Sequence, residues 1–369
     1  MSAVLKPEAG AIPLHKIEAA TPPERYARGW HCLGLAEQYK DGKPHSLSIF
    51  GTRLVVYKGE SGKLSILNAW CPHMGADLAL GDVKGDSLVC KFHAWSWGAD
   101  GICNHIPYAK RIPPKARTKT WPTCEQNKML FVWNDPEGNP PTDDVAIPRI
   151  EQVSNPEEWS DWGMIDWKIN INCRELIDNI ADMAHFVSVH GSTNVVYFAN
   201  IYDRHIATQI MVGANDRLGG SDNLTTIATY MGPAYQITHM FGKMGGYPVE
   251  SILLNSHTPI DQNSFDLRFG VIVKKFPGMT QEACDAMVQQ YIDLVNKAFG
   301  EDVQIWHNKV RIDNPLLCDG DGPIYKNRQW YEQFYVDAAA VPAELKKKHI
   351  VEIDKGLEKK PELKHALEK

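Results

Sequence analysis

Cys71-Pro72-His73 and Cys90-Lys91-Phe92-His93 are the two stretches on which the reading of this chain turns. Sixteen residues separate them. The first follows the strand-like run Leu64 to Trp70, the second closes Leu88-Val89-Cys90, and each leads into a loop. Two thiols and two imidazoles suit a soft metal or an iron–sulfur centre. Trp95, Trp97 and Gly98 follow the second stretch and can shield whatever the loops hold.

Two groups compete for these donors. A structural zinc would take Cys₂His₂ in a closed tetrahedron, but zinc fingers usually carry their histidines on a helix, three to five residues apart. Here each His is paired with its own Cys on a loop, two positions on in the first stretch and three in the second. That pairing lets two hairpin tips close over a cluster from either side. The pattern resembles the Rieske motif at every ligand position. In a Rieske [2Fe–2S] centre two Cys hold one iron and two His the other, which assigns Cys71, His73, Cys90 and His93 as cluster ligands. Cys32, Cys103, Cys124, Cys173, Cys284 and Cys318 have no such partners and are expected to be buried structural thiols.

Outward from these stretches the first half reads as β. Leu54-Val55-Val56-Tyr57 and Met129-Leu130-Phe131-Val132-Trp133 are short apolar runs bounded by Gly, Asn, Asp and Pro, the pattern of a small barrel or sandwich. A stretch rich in Pro, Asp and Glu from Asn139 to Glu158 reads as a linker. This gives two domains, 1–150 and 151–369. Beyond the linker the pattern is α+β. A helix is expected from about Arg174 to His190, and strands from about Tyr202 to Val273. Thr280 reads as the N-cap of a further helix with Met287, Tyr291, Leu294, Val295 and Phe299 on one face. Gly300 is expected to interrupt that helix, with a second piece from about Asp302 to Arg311. The Lys- and Glu-rich tail from Glu344 is expected to be a solvated helix or frayed end.

The second constellation lies just after the linker: Asn179, Asp182, His185 and His190. Asp182 and His185 are three apart and share a helix face. His190 lies about 140° round from His185 on an ideal helix, so both reach one metal only if the helix bends or ends between them. An irregularity at Phe186 to Val189 is therefore expected. Two His and one carboxylate make the facial triad of non-haem Fe(II). Asp302, read as opening a helix, is the candidate third ligand, with Glu301 its rival. Asp182 is the candidate to hydrogen-bond a ligand imidazole or to bridge two metal centres, and Asn179 to line the site.

These residues carry a family resemblance over nearly the whole chain. The Cys/His pairs, the segment Asn179 to His190 and Asp302 resemble the oxygenase component of Rieske ring-hydroxylating systems. Within that superfamily the likeness is to the 3-ketosteroid 9α-hydroxylase oxygenase component. It rests on Arg25 to Cys32, Ile106 to Arg111, Asp178 to Phe186, Arg311 to Leu317 and Trp330 to Asp337. The resemblance implies an all-β Rieske domain followed by a helix-grip catalytic domain, an antiparallel sheet with helices. It also implies a [2Fe–2S] cluster, a mononuclear Fe(II) on His185, His190 and Asp302, and 9α-hydroxylation of a steroid with O₂. A head-to-tail homotrimer is implied too, in which His93 of one subunit approaches Asp182 of the next. Electrons would come from a separate NADH-dependent reductase, and the absence of a Gly-x-Gly-x-x-Gly fingerprint agrees with that.

The whole chain sets bounds on the alternatives. It has 369 residues, 43% apolar and 23% charged, with 39 basic and 45 acidic residues for a net charge of −6. That argues against a broad nucleic-acid footprint. No 18-residue apolar run is present, so no membrane span is expected, and Met1 to Ala20 does not read as a signal peptide. A cytoplasmic location follows, with thiols kept reduced. The rivals are an oxygenase of another apolar ring substrate, aromatic or sterol-like, a Rieske-type electron carrier, and a zinc-bound binding module. A carrier would need only about 150 residues and would leave the second constellation without purpose.

Overall fold

The computed structural model describes residues 14–215, 220–244 and 246–354. The N-terminal half is built from β1 (Gly29–Leu35), β2 (His45–Ile49), β3 (Thr52–Lys58), β4 (Leu64–Asn68), β5 (Asp82–Lys84), β6 (Ser87–Val89), β7 (Ser96–Gly98), β8 (Cys103–His105), β9 (Thr120–Trp121), β10 (Thr123–Gln126) and β11 (Met129–Asn134). They form three small sheets in the orders β1-β11-β10, β2-β3-β4-β9 and β5-β6-β7-β8. Strand β11 shows why its sequence is apolar at every position from Met129 to Trp133. Met129, Phe131 and Trp133 enter one core and Leu130 and Val132 another, because alternate side chains leave opposite faces of a strand.

The C-terminal half is one eight-stranded antiparallel sheet. Its strands are β12 (Gly163–Ile169), β13 (Ser192–Asp203), β14 (Ile206–Asn215), β15 (Gly220–Met231), β16 (Tyr235–Met244), β17 (Tyr247–Asp261), β18 (Ser264–Val273) and β19 (His349–Asp354). Their spatial order is β12-β18-β17-β16-β15-β14-β13-β19. The helices are α1 (Arg174–Ile177), α2 (Met183–Ser188), α3 (Gln281–His307) and α4 (Ile324–Glu332). Helix α3 lies on one face of the sheet. Met287, Tyr291, Val295 and Phe299 meet Phe269, Val271 and Val273 there, and Thr280 caps its start by accepting from the Ala283 N–H.

The expected α+β architecture is present, and four local expectations need correcting. Gly300 does not interrupt α3, which runs unbroken for 27 residues. A helical Gly costs about 1 kcal/mol, and Phe299, Val303 and Trp306 pack on either side of it. Asp302 therefore lies inside a helix and does not open one. The stretch Arg174 to His190 is not one helix: α1 passes into a 3₁₀ turn, Asp178–Ile180, and α2 restarts after an extended Asp182 (φ −84°, ψ 95°). The tail is not a solvated α-helix or frayed end up to Asp354: a short 3₁₀ turn, Ala343–Lys346, leads into β19, which pairs with β13, Ile350 opposite Ile201. The β-branched run there completes an otherwise open sheet edge. Residues 355–369 lie outside the described residues. Finally, Cys318 is exposed and Cys124 only half-buried, so the expectation of burial fails for those two.

The two halves pack directly. Thr258 in β17 donates its hydroxyl to the Cys32 carbonyl of β1 at 2.7 Å, and the Phe50 and Gly51 N–H groups donate to the carbonyls of Pro259 and Ile260. The segment read as a linker holds two 3₁₀ turns. Its Ile147, Ile150 and Val153 are buried with Trp30, Trp133 and Tyr235, so it is wedged between the sheets.

Candidate active site

The two Cys/His loops repeat one backbone design. In the first, the Cys71 N–H donates to the Ala76 carbonyl, and the Gly75 N–H donates back to the Cys71 carbonyl. In the second, Cys90 and Ala94 take the same roles, with Trp95 as the acceptor. Both loops turn through a left-handed residue at the fourth position after Cys, Gly75 (φ 77°) and Ala94 (φ 55°). A non-glycine there is strained, so Ala94 is held by its surroundings.

The loops bring all four donors to one tip. Cys71 and Cys90 are each 2% exposed. The rings of His73 and His93 are 4.7 Å apart, and His73 stacks on Trp95 at 4.4 Å. The Trp95 indole is fixed by donating to the Tyr108 hydroxyl at 2.7 Å. Burial raises the Cys71 pKa, and the neighbouring Cys90 adds to the rise. The Nδ1 of His93 is buried and has no hydrogen-bond partner among the described residues. Two buried thiols side by side and a buried imidazole nitrogen without a partner are what a bound iron–sulfur cluster would satisfy. The donor set fits that group.

The second site is set by the break between α1 and α2. Asp182 caps α2, its carboxylate accepting from the His185 N–H at 3.2 Å. The Asp182 backbone carbonyl, 2.6 Å from His185 Nδ1, holds the ring. The hydrogen bond expected from the Asp182 carboxylate to that ring is thus made by the carbonyl instead, and the carboxylate stands 4.0 Å from Nδ1. A carbonyl only accepts, so Nδ1 carries the proton and Nε2 is left for the cavity. Burial lowers the His185 pKa, Asp182 opposes the fall and His190 adds to it.

Helix α2 ends at Ser188, within the stretch where an irregularity was expected, and so turns His190 back toward His185. Their rings are 5.1 Å apart. His190 Nε2 is 3.2 Å from Asp302 Oδ2. Two donors at about 2.1 Å from one ion and at right angles would lie about 3.0 Å apart, so this pair has the spacing of neighbouring ligands. Asp302 is buried while Glu301 is only half-buried, which places Asp302 and not its rival at the site. Among the described residues no three such side chains already form a closed cage. Two imidazoles and one buried carboxylate are nevertheless the donor types of a facial triad, and the residues fit a mononuclear iron.

A cavity of about 210 Å³ opens over these groups. Asn179 lines it, as expected. So do Gln209, Thr226, Tyr230, Thr238 and Asn255, which the sequence reading did not single out. The geometric basis is the strand period of two: Thr226, Ala228 and Tyr230 on β15 and Gln236 and Thr238 on β16 are alternate residues and so share the face that lines the cavity. Cross-strand pairing then stacks Gln209, Ala228, Thr238 and Leu253 into one row.

Residues 29–122 match the family described as the Rieske [2Fe-2S] domain, and residues 132–335 that described as the 3-ketosteroid 9alpha-hydroxylase C-terminal domain. The chain is 46% identical over 352 residues to a 3-ketosteroid-9-alpha-monooxygenase oxygenase component of Rhodococcus rhodochrous, covering 93% of this chain and 90% of that protein. It is 45% identical over 355 residues to the oxygenase component of the same name from Mycobacterium tuberculosis, covering 94% and 92%. A cholesterol 7-desaturase of Xenopus laevis is 28% identical over 342 residues, covering 85% and 72%. Among solved structures, Pseudomonas putida NdmB superposes with a TM-score of 0.69 at 18% identity, over 90% of this chain and 100% of that one. Dicamba monooxygenase bound to 3,6-dichlorosalicylic acid gives 0.68 at 19%, over 86% and 99%. With a cluster-binding tip, a second donor set in a sheet-floored cavity and these likenesses along almost its full length, the chain belongs to the family of Rieske oxygenases formed by the 3-ketosteroid-9-alpha-monooxygenase oxygenase components.

Proposed function

We propose that this chain hydroxylates C9 of a 3-ketosteroid on the α face, with O₂ and with electrons drawn from NADH through a separate reductase. The observation that carries the reading is the convergence of His190 and Asp302, 3.2 Å apart, with His185 on the floor of one cavity, in a chain whose C-terminal unit matches the 3-ketosteroid 9alpha-hydroxylase family. Cys71, His73, Cys90 and His93 are the proposed cluster ligands. His185, His190 and Asp302 are the proposed ligands of the mononuclear iron. When bound, the two iron centres supply the electron relay and the O₂ chemistry.

The protein's own residues do the rest. The Asp182 carbonyl fixes the His185 tautomer. The Asp182 carboxylate, partly exposed, is the proposed bridge for electrons arriving from His93 of a neighbouring subunit, in a head-to-tail homotrimer. Exposed Met74, Phe92 and Tyr108 beside the cluster tip and exposed Val187 on α2 are apolar groups such an interface would cover. The sheet floor holds the substrate and, once filled, leaves little room for water. Asn179 lines the same space.

The division between the units is proposed at about residue 150. No helix among the described residues is long and apolar enough to cross a membrane. The eight free cysteines suit a reducing compartment, and the cytoplasm is the proposed location.

The test is reconstitution. The protein, loaded with iron and sulfide, is given a competent reductase, NADH and androstenedione, and the product is identified by mass spectrometry and NMR. The 9α-hydroxylated steroid is the expected product. No steroid product, from protein shown to carry both iron centres, would overturn the steroid assignment.

A further inference from the structure

Behind the proposed iron site lies a buried group of charges that the chemistry does not use. Glu175, 1% exposed, sits between Lys309 Nζ at 2.7 Å and an Arg311 guanidinium nitrogen at 3.5 Å. The same Arg311 nitrogen is 3.3 Å from Asp178 Oδ2. Arg328 grips Asp178 with two nitrogens, at 3.1 and 2.6 Å. Neither Glu175 oxygen, nor Arg311 Nε, has a hydrogen bond of good geometry. Burying charges without full hydrogen bonding is costly, and buried ion pairs of this kind add little net stability. A purpose other than stability is therefore indicated.

The placement supplies one. The acids stand on α1 and the 3₁₀ turn, immediately before Asp182 and His185. The bases stand on the segment that leaves the end of α3, the helix carrying Asp302, and on α4. The same two segments meet again through backbone carbonyls of α1. Arg311 donates to the Arg174 carbonyl at 3.1 Å and Asn327 to the Ile177 carbonyl at 2.8 Å. The Met183 N–H donates to the Asp321 carbonyl at 3.1 Å. Gly322 (φ +91°) comes so close that a Cβ there would stand 2.1 Å from the Ala181 carbonyl oxygen.

We propose that Glu175, Asp178, Arg311 and Arg328, with Gly322, form a clamp that fixes the segment bearing His185 and His190 against the end of α3 bearing Asp302. They are positioning residues for the mononuclear metal. This rests on the reading of His185, His190 and Asp302 as its ligands. Directional ion pairs set the angle between two chain segments, whereas an apolar contact would let them slide. A misplaced segment would separate donors that belong to one ion.

The experiment measures Fe(II) affinity of the full chain with its cluster in place. A competing chelator reports the mononuclear iron, and visible absorbance reports the cluster. The unaltered protein should bind one iron beyond those of the cluster, and His185→Ala should lose it. Failure at that step would overturn the ligand assignment, and the clamp with it. Given that binding, Arg311→Met and Gly322→Ala should each weaken Fe(II) about tenfold or more while cluster absorbance stays unchanged. Arg311→Lys, which keeps a cation beside Glu175, should recover most of the affinity. Unaltered iron affinity in both variants, or loss of cluster and iron together, would overturn the clamp. If Arg311→Met fails to fold, Gly322→Ala, which removes no charge, decides.

Discussion

His185 donates its Nδ1–H to the backbone carbonyl of Asp182, 2.6 Å away, while the Asp182 carboxylate caps the helix on which His185 stands. One residue thus sets both the ring and the helix, and its carboxylate remains partly exposed. This separates its structural duty from its proposed electronic one.

Replacing Asp182 with Asn should therefore leave the site assembled. Asn caps a helix about as well as Asp, and the backbone carbonyl is unchanged. Iron and cluster content should match the unaltered protein, while steroid product falls on the order of 100-fold. Analysis of metal content beside single-turnover product yield decides this. Full turnover would remove Asp182 from the electron path.

Truncating His73 to Ala should remove a proposed cluster ligand and the stacking partner of Trp95. The red-brown absorbance should be lost and steady-state turnover should stop. The eight-stranded sheet should survive, because its core shares no residue with the tip. Absorbance and circular dichroism read the two effects apart, and collapse of the whole fold would contradict the prediction.

Two imidazoles buried where the halves meet make the fold acid-sensitive. Burial depresses the His31 pKa to about 4, and burial with His31 nearby depresses that of His257 to about 3. Both lie below the ordinary 6.5, so below that pH the unfolded chain binds more protons. Stability is undiminished above about pH 6.5 and falls as pH drops toward 4 for His31 and toward 3 for His257. At pH 5 the loss is on the order of 2 kcal/mol per histidine. Urea unfolding between pH 5 and 8 should show it, and His257→Gln should flatten the slope. An unchanged slope would refute the assignment.

Close approach between the halves predicts a further effect. A Cβ on Gly29 would lie 2.2 Å from Pro233 Cδ, and Gly29 has φ +153°. Gly29→Ala should cost roughly 1–3 kcal/mol, read as a lower urea midpoint. A midpoint equal to that of the unaltered protein would show that the junction yields freely.

Filling the cavity should act on substrate alone. Ala228 is buried in its floor beside Thr238. Ala228→Leu should reduce kcat/KM for a steroid by about tenfold or more, with iron content unchanged. Equal kinetics would place the substrate elsewhere.

The sequence by itself determined the chemistry. The Cys71/His73 and Cys90/His93 spacing is local, because two short loops carry all four donors and only a hairpin is needed to present them. The β character of Leu54 to Tyr57 and Met129 to Trp133 was equally legible, since alternation along a strand decides which face is buried. The tertiary structure decided what depends on distant contacts. Packing on both sides of Gly300 kept α3 whole, against the local propensity of glycine. The break at Asp182 came from carbonyls claimed by Asn327, by Arg311, and by the strand residues Asn200 and Gln209, which both reach the Ile180 carbonyl. The meeting of His190 with Asp302 spans 112 positions of sequence. No periodicity encodes it, because it is fixed by how a helix end and a broken helix lie across one sheet.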